Sequence, residues 1–261
     1  MKKILLAFQF LTIIPVKDTG VVADSEVGGA ASFFPLVGAV QGMLLVLAAM
    51  IASRILPVGV VNILVILLLI VTNGGLHLDG LSDTFDAIAS RGGRDKKLSI
   101  MKEATVGPIG VIAIVIDILL KLYLLNEIYS VSQSATYNMM LFLLPMYSRW
   151  AMVPAIFHGK SARKEGLGRT FIENVGVREL LTATILTLIL SFLAVFIIFN
   201  TAGLMHIIFS LPALYIFSLA AGWFAARRFG GMTGDTFGAV SELSEILLLM
   251  MAVICLRNFT L

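Results

Sequence analysis

Seven apolar runs divide the chain, at roughly residues 35 to 53, 58 to 76, 107 to 125, 139 to 157, 180 to 199, 206 to 226 and 243 to 257. Most approach the ~20 residues that a helix needs to cross a bilayer. The pattern therefore predicts an all-α, polytopic membrane bundle of about seven transmembrane helices, one integral membrane domain over 1–261. The last run is the shortest. Ahead of them, residues 1 to 15 carry Lys2 and Lys3 and then a short apolar stretch ending at Pro15, without the small-residue cleavage site of a signal peptide. That segment is expected to stay as an interfacial helix, too short to span.

The polar positions between the runs are unevenly distributed. Fifteen of the nineteen Lys and Arg fall on one side of the alternating pattern, in the amino-terminal arm (Lys2, Lys3, Lys17), the 77 to 106 loop, the 158 to 178 loop and the segment after 226. The opposite connections and the tail hold only Arg54 and Arg257. By the positive-inside rule the amino terminus and every long loop face the cytoplasm, which predicts a multi-pass protein of the cell (inner) membrane with its polar chemistry on the cytoplasmic side.

Composition agrees with the pattern: 59% of residues are hydrophobic, 13% are charged, and the mean hydropathy is +0.99. The formal charge of +3 adds little, because its sidedness carries the information. The bilayer is an expected partner and nucleic acid is not. One cysteine, Cys255, excludes a disulfide framework and reads as a packing residue.

Two acidic blocks stand at the ends of spans. In His77-Leu-Asp79-Gly-Leu-Ser-Asp83-Thr-Phe-Asp86 three aspartates at i, i+4 and i+7 share one helix face. Like charges so placed repel unless a cation neutralises them, and an all-oxygen set beside phosphate chemistry suits Mg²⁺. The same loop continues through Arg91, Lys102 and Glu103, so acid for metal and base for phosphate lie in one segment. The alternative is a solvated helix with ordinary charges. The second block, Gly230-Gly-Met-Thr-Gly234-Asp235-Thr-Phe-Gly238, is followed by Glu242 and Glu245; its glycines admit a ligand close to the backbone, and Asp235 is placed to complete a metal shell or orient a hydroxyl. A Gly-rich re-entrant turn is the structural alternative.

A basic loop, Lys160 to Arg169 with Arg163 at its centre, suits either a substrate phosphate or anionic headgroups. Within the spans, Asp117 and Lys121 at i,i+4 are expected to satisfy one another. Arg149 has no acid on its own helix and is read as a substrate-binding residue, with an interhelical ion pair as the alternative.

The spacing Gly75-xxx-Asp79-xxx-Asp83 resembles the second half of the signature of membrane CDP-alcohol phosphotransferases, whose Asp-Gly-x-x-Ala-Arg half is absent here. A fuller resemblance runs nearly end to end. Phe10-Leu-Thr-Ile-Ile-Pro15, Phe34-Pro-Leu-Val-Gly38, the His77 to Asp86 block, Ile100 to Gly107, Glu165-Gly-Leu-Gly168 and Gly230 to Ala239 are similar to the cobalamin synthase (adenosylcobinamide-GDP ribazoletransferase) family. The resemblance implies a Mg²⁺-dependent phosphotransferase that joins a GDP-activated corrinoid to α-ribazole or its 5′-phosphate, releasing GMP in the last steps of cobalamin biosynthesis. It implies Asp79, Asp83 and Asp86 as the metal cluster. Glu103 stands where that family carries aspartate, and Ala87 where glycine is usual.

The resulting site has His77, Asp83 and Asp235 as catalytic residues, with His77 or Asp235 as general base. Its substrate contacts come from Arg91, Lys102, Glu103, Arg149, Arg163, Gly234 and Glu242. A second copy of the chain or other corrinoid-pathway enzymes are further expected partners. A lipid-type CDP-alcohol phosphotransferase, and a transporter using Asp117, Lys121 and Arg149 as a path, are the competing readings.

Overall fold

The computed structural model describes residues 1–16, 20–132, 134–198 and 204–259; Lys17 lies outside them. The elements follow in order: α1 (Lys2–Leu11), α2 (Asp24–Ala30), α3 (Phe34–Ala52), α4 (Val58–Thr72), α5 (Leu76–Ala89), α6 (Arg94–Ile100), α7 (Pro108–Val131), α8 (Ser134–His158), α9 (Leu167–Asn174), α10 (Val177–Leu193), α11 (Leu204–Phe229) and α12 (Gly234–Phe259). Among the described residues, six helical stretches are long and apolar enough to cross a membrane, the first running from Asp24 to Ala52. Helix α4, about 22 Å long at 1.5 Å per residue, forms with α5 a bent pair that would count as a seventh span if the two were taken together. The chain is a polytopic helical bundle, as its hydropathy pattern predicts.

Helix α8 is the axis of the bundle. Its spanning window is 94% buried, against 28% for α7 and α11, so the helix surrounded by other helices is told apart from those facing lipid. The large side chains Met139, Tyr147 and Arg149 on α8 are fully enclosed, and α3, α10, α11 and α12 pack around them.

The two ends of the bundle differ. At one, α4, α7 and α8 are tied by Asn62, whose Nδ2 donates to Asn126 Oδ1 at 3.1 Å and whose Oδ1 accepts from Tyr137 at 2.5 Å. The other end, where the basic loops gather, is covered by the short helices α1, α2, α5, α6 and α9. Helix α1 is the amino-terminal helix expected from the sequence, and its following segment is anchored where the Ile13 N–H donates to the Thr72 carbonyl at 3.0 Å.

Two predicted boundaries move. The run from 58 to 76 is cut at Thr72, because Gly74 and Gly75 take left-handed conformations (φ 64° and 74°) that side-chain-bearing residues rarely adopt. Asn73 Oδ1 accepts the Gly75 N–H at 2.9 Å and locks the turn. The next helix leaves at 87° to α4, so α5 lies across the end of the bundle instead of continuing through it. At the carboxyl terminus the run from 243 to 257 is only the apolar portion of a 26-residue helix beginning at Gly234. Asp235, Glu242 and Glu245 depress the hydropathy of its first turns and hide that start.

Candidate active site

The two acidic blocks, about 150 residues apart, cross each other backbone on backbone. A Cβ on Gly80 of α5 would stand 2.6 Å from the Asp235 carbonyl oxygen, and one on Gly238 of α12 would stand 3.0 Å from the His77 carbonyl oxygen. A side chain at Gly80 would force the backbones apart, and one at Gly238 would crowd them. It brings the first turn of α5 against the first turns of α12.

The basic loop after α8 is stitched to the same place. The Met232 N–H donates to the Lys160 carbonyl at 2.6 Å, and the Ala162 N–H donates to the Met232 carbonyl at 3.0 Å. Arg163 then reaches Asp235, with Nη2 donating to Oδ2 at 2.9 Å and to the Met101 carbonyl at 3.4 Å. Thr233 donates to the same carboxylate oxygen at 3.2 Å. The Thr233 N–H donates to Thr236 Oγ1 at 2.8 Å, which caps α12 and fixes Asp235 in its first turn.

These elements enclose an open cavity of about 260 Å³ at the basic end. Asp79, Asp235, Arg163 and Arg169 supply charge of both signs, and Gly166, Gly168 and Gly234 contribute bare backbone. His77 lines the wall while 99% of its surface is hidden, and neither ring nitrogen has a hydrogen-bond partner among the described residues. Burial, with Arg149 and Lys121 nearby, holds its pKa well below the usual histidine range, so the ring is neutral. Asp83, half-buried one turn beyond Asp79, is pushed up to about 7 by burial and by the carboxylates of Asp79, Asp235 and Asp86. A carboxyl so crowded by its own kind gains from a neutralising cation.

Asp86 has a different task. Its Oδ2 accepts the Gly107 N–H at 2.7 Å and its Oδ1 accepts the Gly110 N–H at 2.8 Å, so it caps the amino terminus of α7 from the neighbouring helix. Shared helical spacing correctly puts the aspartates on one helix, yet they do not form a three-carboxylate cage. Among the described residues, no three His, Cys, Asp or Glu side chains are grouped so as to hold a metal by themselves. The donor set fits a hard cation held by one or two carboxylates, with substrate phosphate and water completing the shell, the usual protein share of a Mg²⁺ site.

Arg163 and Gly234, expected as substrate contacts, line the cavity. Arg91 and Lys102 are exposed on the loops flanking α6 and are not among its lining, and Glu103 is exposed with Oε1 3.8 Å from Lys96 Nζ. Arg149 and Glu242 require correction. Arg149 is fully buried in the bundle, its Nη1 donating to Glu245 Oε1 at 2.9 Å and to Ser241 and Ser148 at 2.8 Å, so the interhelical ion pair is what forms. Glu242 is buried against Lys121, whose Nζ also stands 2.9 Å from Asp117 Oδ2 and 2.8 Å from Glu245 Oε2. The expected Asp117 to Lys121 pair exists within this larger knot, which occupies the path a transporter reading assigns to these residues. Arg169, in contrast, lines the cavity without having been singled out as a site residue. Its position one residue past the paired glycines was the available signal.

The sequence matches the family model described as cobalamin-5-phosphate synthase over residues 3–253. It is 36% identical over 248 residues to an adenosylcobinamide-GDP ribazoletransferase of Geotalea daltonii, covering 95% of both chains. Proteins of the same description from Thermodesulfovibrio yellowstonii (31% identity, 96% of this chain and 95% of the relative) and Clostridium tetani (34%, 95% of each) align as completely. No solved structure matches the chain.

Proposed function

The chain belongs to the cobalamin-5-phosphate synthase family, and from that premise we propose that it transfers the phosphocorrinoid group of adenosylcobinamide-GDP to α-ribazole or α-ribazole 5′-phosphate, with Mg²⁺ as cofactor, at the cytoplasmic face of the cell membrane. The observation that carries this reading is the cavity lined by Asp79, Asp235, Arg163 and Arg169 together with glycine backbone. Acid beside base at the mouth of a membrane bundle suits a diphosphate and its counter-ion. A cavity of about 260 Å³ takes a diphosphate with an adjoining sugar, and the corrin ring then stays at the opening.

In the proposed reaction an acceptor hydroxyl attacks the phosphorus that bears the corrinoid side chain. The bond from that phosphorus to the oxygen bridging to GMP breaks, and GMP leaves with that oxygen. Asp235, held by Arg163 and Thr233, is aimed to take the hydroxyl proton. Arg163 and Arg169 neutralise phosphate oxygens as charge builds on the leaving nucleotide. Neutral His77 lines the cavity with both ring nitrogens buried and, among the described residues, unpartnered, and hydrogen bonding suits it better than proton abstraction because burial lowers its basicity. Asp79 and Asp83 would hold Mg²⁺, which when bound supplies charge neutralisation at the diphosphate.

The test is direct. The full chain, reconstituted in nanodiscs with GDP-cobinamide, α-ribazole and Mg²⁺, should release GMP and form the joined corrinoid, and EDTA should stop it. Absence of GMP with every component present, or full turnover in EDTA, would refute the transfer or the metal respectively.

A further inference from the structure

A second concavity lies on the lipid-facing flank, on the other side of Met232 from the cavity described above. It has a volume of about 540 Å³ and a nearly wholly apolar wall, with Phe85 and Ile88 of α5 on one side, Phe217, Trp223 and Phe224 of α11 on the other, and Ala239 of α12 at its base. The order of residues along α11 is informative. Phe217 is deepest in the bundle, Trp223 and Phe224 follow nearer the basic end, and Arg227 and Arg228 stand in the last turn. At 1.5 Å per residue the step from Phe217 to Arg227 is about 15 Å.

Both arginines are tied to the groove. The Arg227 guanidinium lies 4.0 Å from the centroid of the Trp223 ring, and that of Arg228 lies 5.7 Å from the Phe224 ring. Both are exposed, and among the described residues neither has a carboxylate within salt-bridge distance. Stacking on an aromatic face leaves the guanidinium N–H groups available in the ring plane for a bidentate anion. An apolar trough of about 540 Å³ on a spanning helix, with two exposed cations stacked on its aromatic residues, has the polarity profile of a phospholipid.

We propose that this groove binds one anionic phospholipid, with an acyl chain between α5 and α11 and its phosphodiester on Arg227 and Arg228. Such a lipid would lie against the outer face of α5, whose inner face carries Asp79 towards the reaction cavity.

The full chain, extracted in mild detergent and titrated with phosphatidylglycerol or phosphatidylcholine, would be followed by native mass spectrometry. One phosphatidylglycerol should be retained in preference to phosphatidylcholine. R227Q/R228Q should weaken that preference on the order of ten-fold or more, while R227K/R228K keeps most of it. A220F, filling the trough without altering charge, should reduce retention of the same single lipid. Size-exclusion profiles of each variant separate misfolding from loss of the site, and W223A offers a second trough variant should A220F misfold. Equal retention of both lipids by the wild type, or loss on arginine replacement with no effect of filling the trough, would overturn the proposal, the latter reducing it to surface electrostatics.

Discussion

Two regions of this protein use the same residue types to opposite ends. In the middle of the bundle, Asp117, Lys121, Arg149, Glu242 and Glu245 are packed side by side with almost no exposure, and each charge meets an opposite one. At the basic end, Asp79, Asp83, Asp235, Arg163 and Arg169 surround an opening or stand behind it; Asp235 pairs with Arg163 across the elements and Arg169 with the exposed Glu173 on its own helix, while among the described residues Asp79 and Asp83 have no salt-bridge partner. Low dielectric punishes an isolated charge, so in a knot surrounded by lipid and helix each charged group sits beside an opposite one, three carboxylates sharing two cations. Charges at the rim can wait for a ligand because water solvates them meanwhile. Charges open to water mark the reactive region, and charges enclosed beside opposite ones the structural one.

The comparison can be broken from either side. The largest effect is expected for Asp235→Asn, which should lower GMP release by about 10²–10⁴-fold while leaving the protein monodisperse with an unchanged thermal midpoint. Loss of folding in place of loss of turnover would move Asp235 into the structural class. Next comes Lys121→Met, which leaves three carboxylates in the knot with only Arg149 to meet them. It should cost about 3–5 kcal/mol and show as low yield of folded protein in a thermal-shift or size-exclusion assay, and a variant of normal stability and abolished turnover would contradict the division.

Asp86→Ala sharpens the boundary between the two regions. Removing the cap of α7 should cost about 1–2 kcal/mol of stability, with a smaller loss of turnover than Asp79→Asn. The reverse ranking, measured by chemical denaturation and GMP release, would return Asp86 to the metal set. The smallest effect concerns Asp83. Its folded pKa of about 7 exceeds the ordinary 3.8, so the folded metal-free protein holds the extra proton between those values and loses stability as pH rises through that window. Asp83→Asn should therefore raise the melting temperature in EDTA by on the order of 2 °C at pH 8 and hardly at all at pH 4. The partial exposure of Asp83 keeps the effect small. A difference independent of pH would exclude carboxylate crowding as the cause.

Much of this arrangement is legible in the chain. Hydropathy finds the helices that, among the described residues, are long and apolar enough to cross, because burial in lipid favours a predominantly apolar run whatever the neighbours are. The His77 to Asp86 and Gly230 to Ala239 blocks are conspicuous because acids and glycines are rare at span ends. The spacing of Asp79, Asp83 and Asp86 is read correctly as helical, yet it does not reveal that Asp86 would be claimed by the Gly107 and Gly110 amides, since the acceptor and donors are over twenty residues apart. Arg149 and Glu242 were equally ambiguous, each having an unsatisfied charge and no partner within its own helix.

Local chemistry by itself determined the apolar helices and which short segments carry reactive groups, because hydrophobicity and helical periodicity act over one or two dozen neighbouring residues. Tertiary structure alone decided which charges neutralise one another and which remain facing an opening. That choice depends on how closely α5, α7, α8 and α12 approach, and it is made at Gly80 and Gly238, where the absence of a side chain lets two distant stretches of backbone meet.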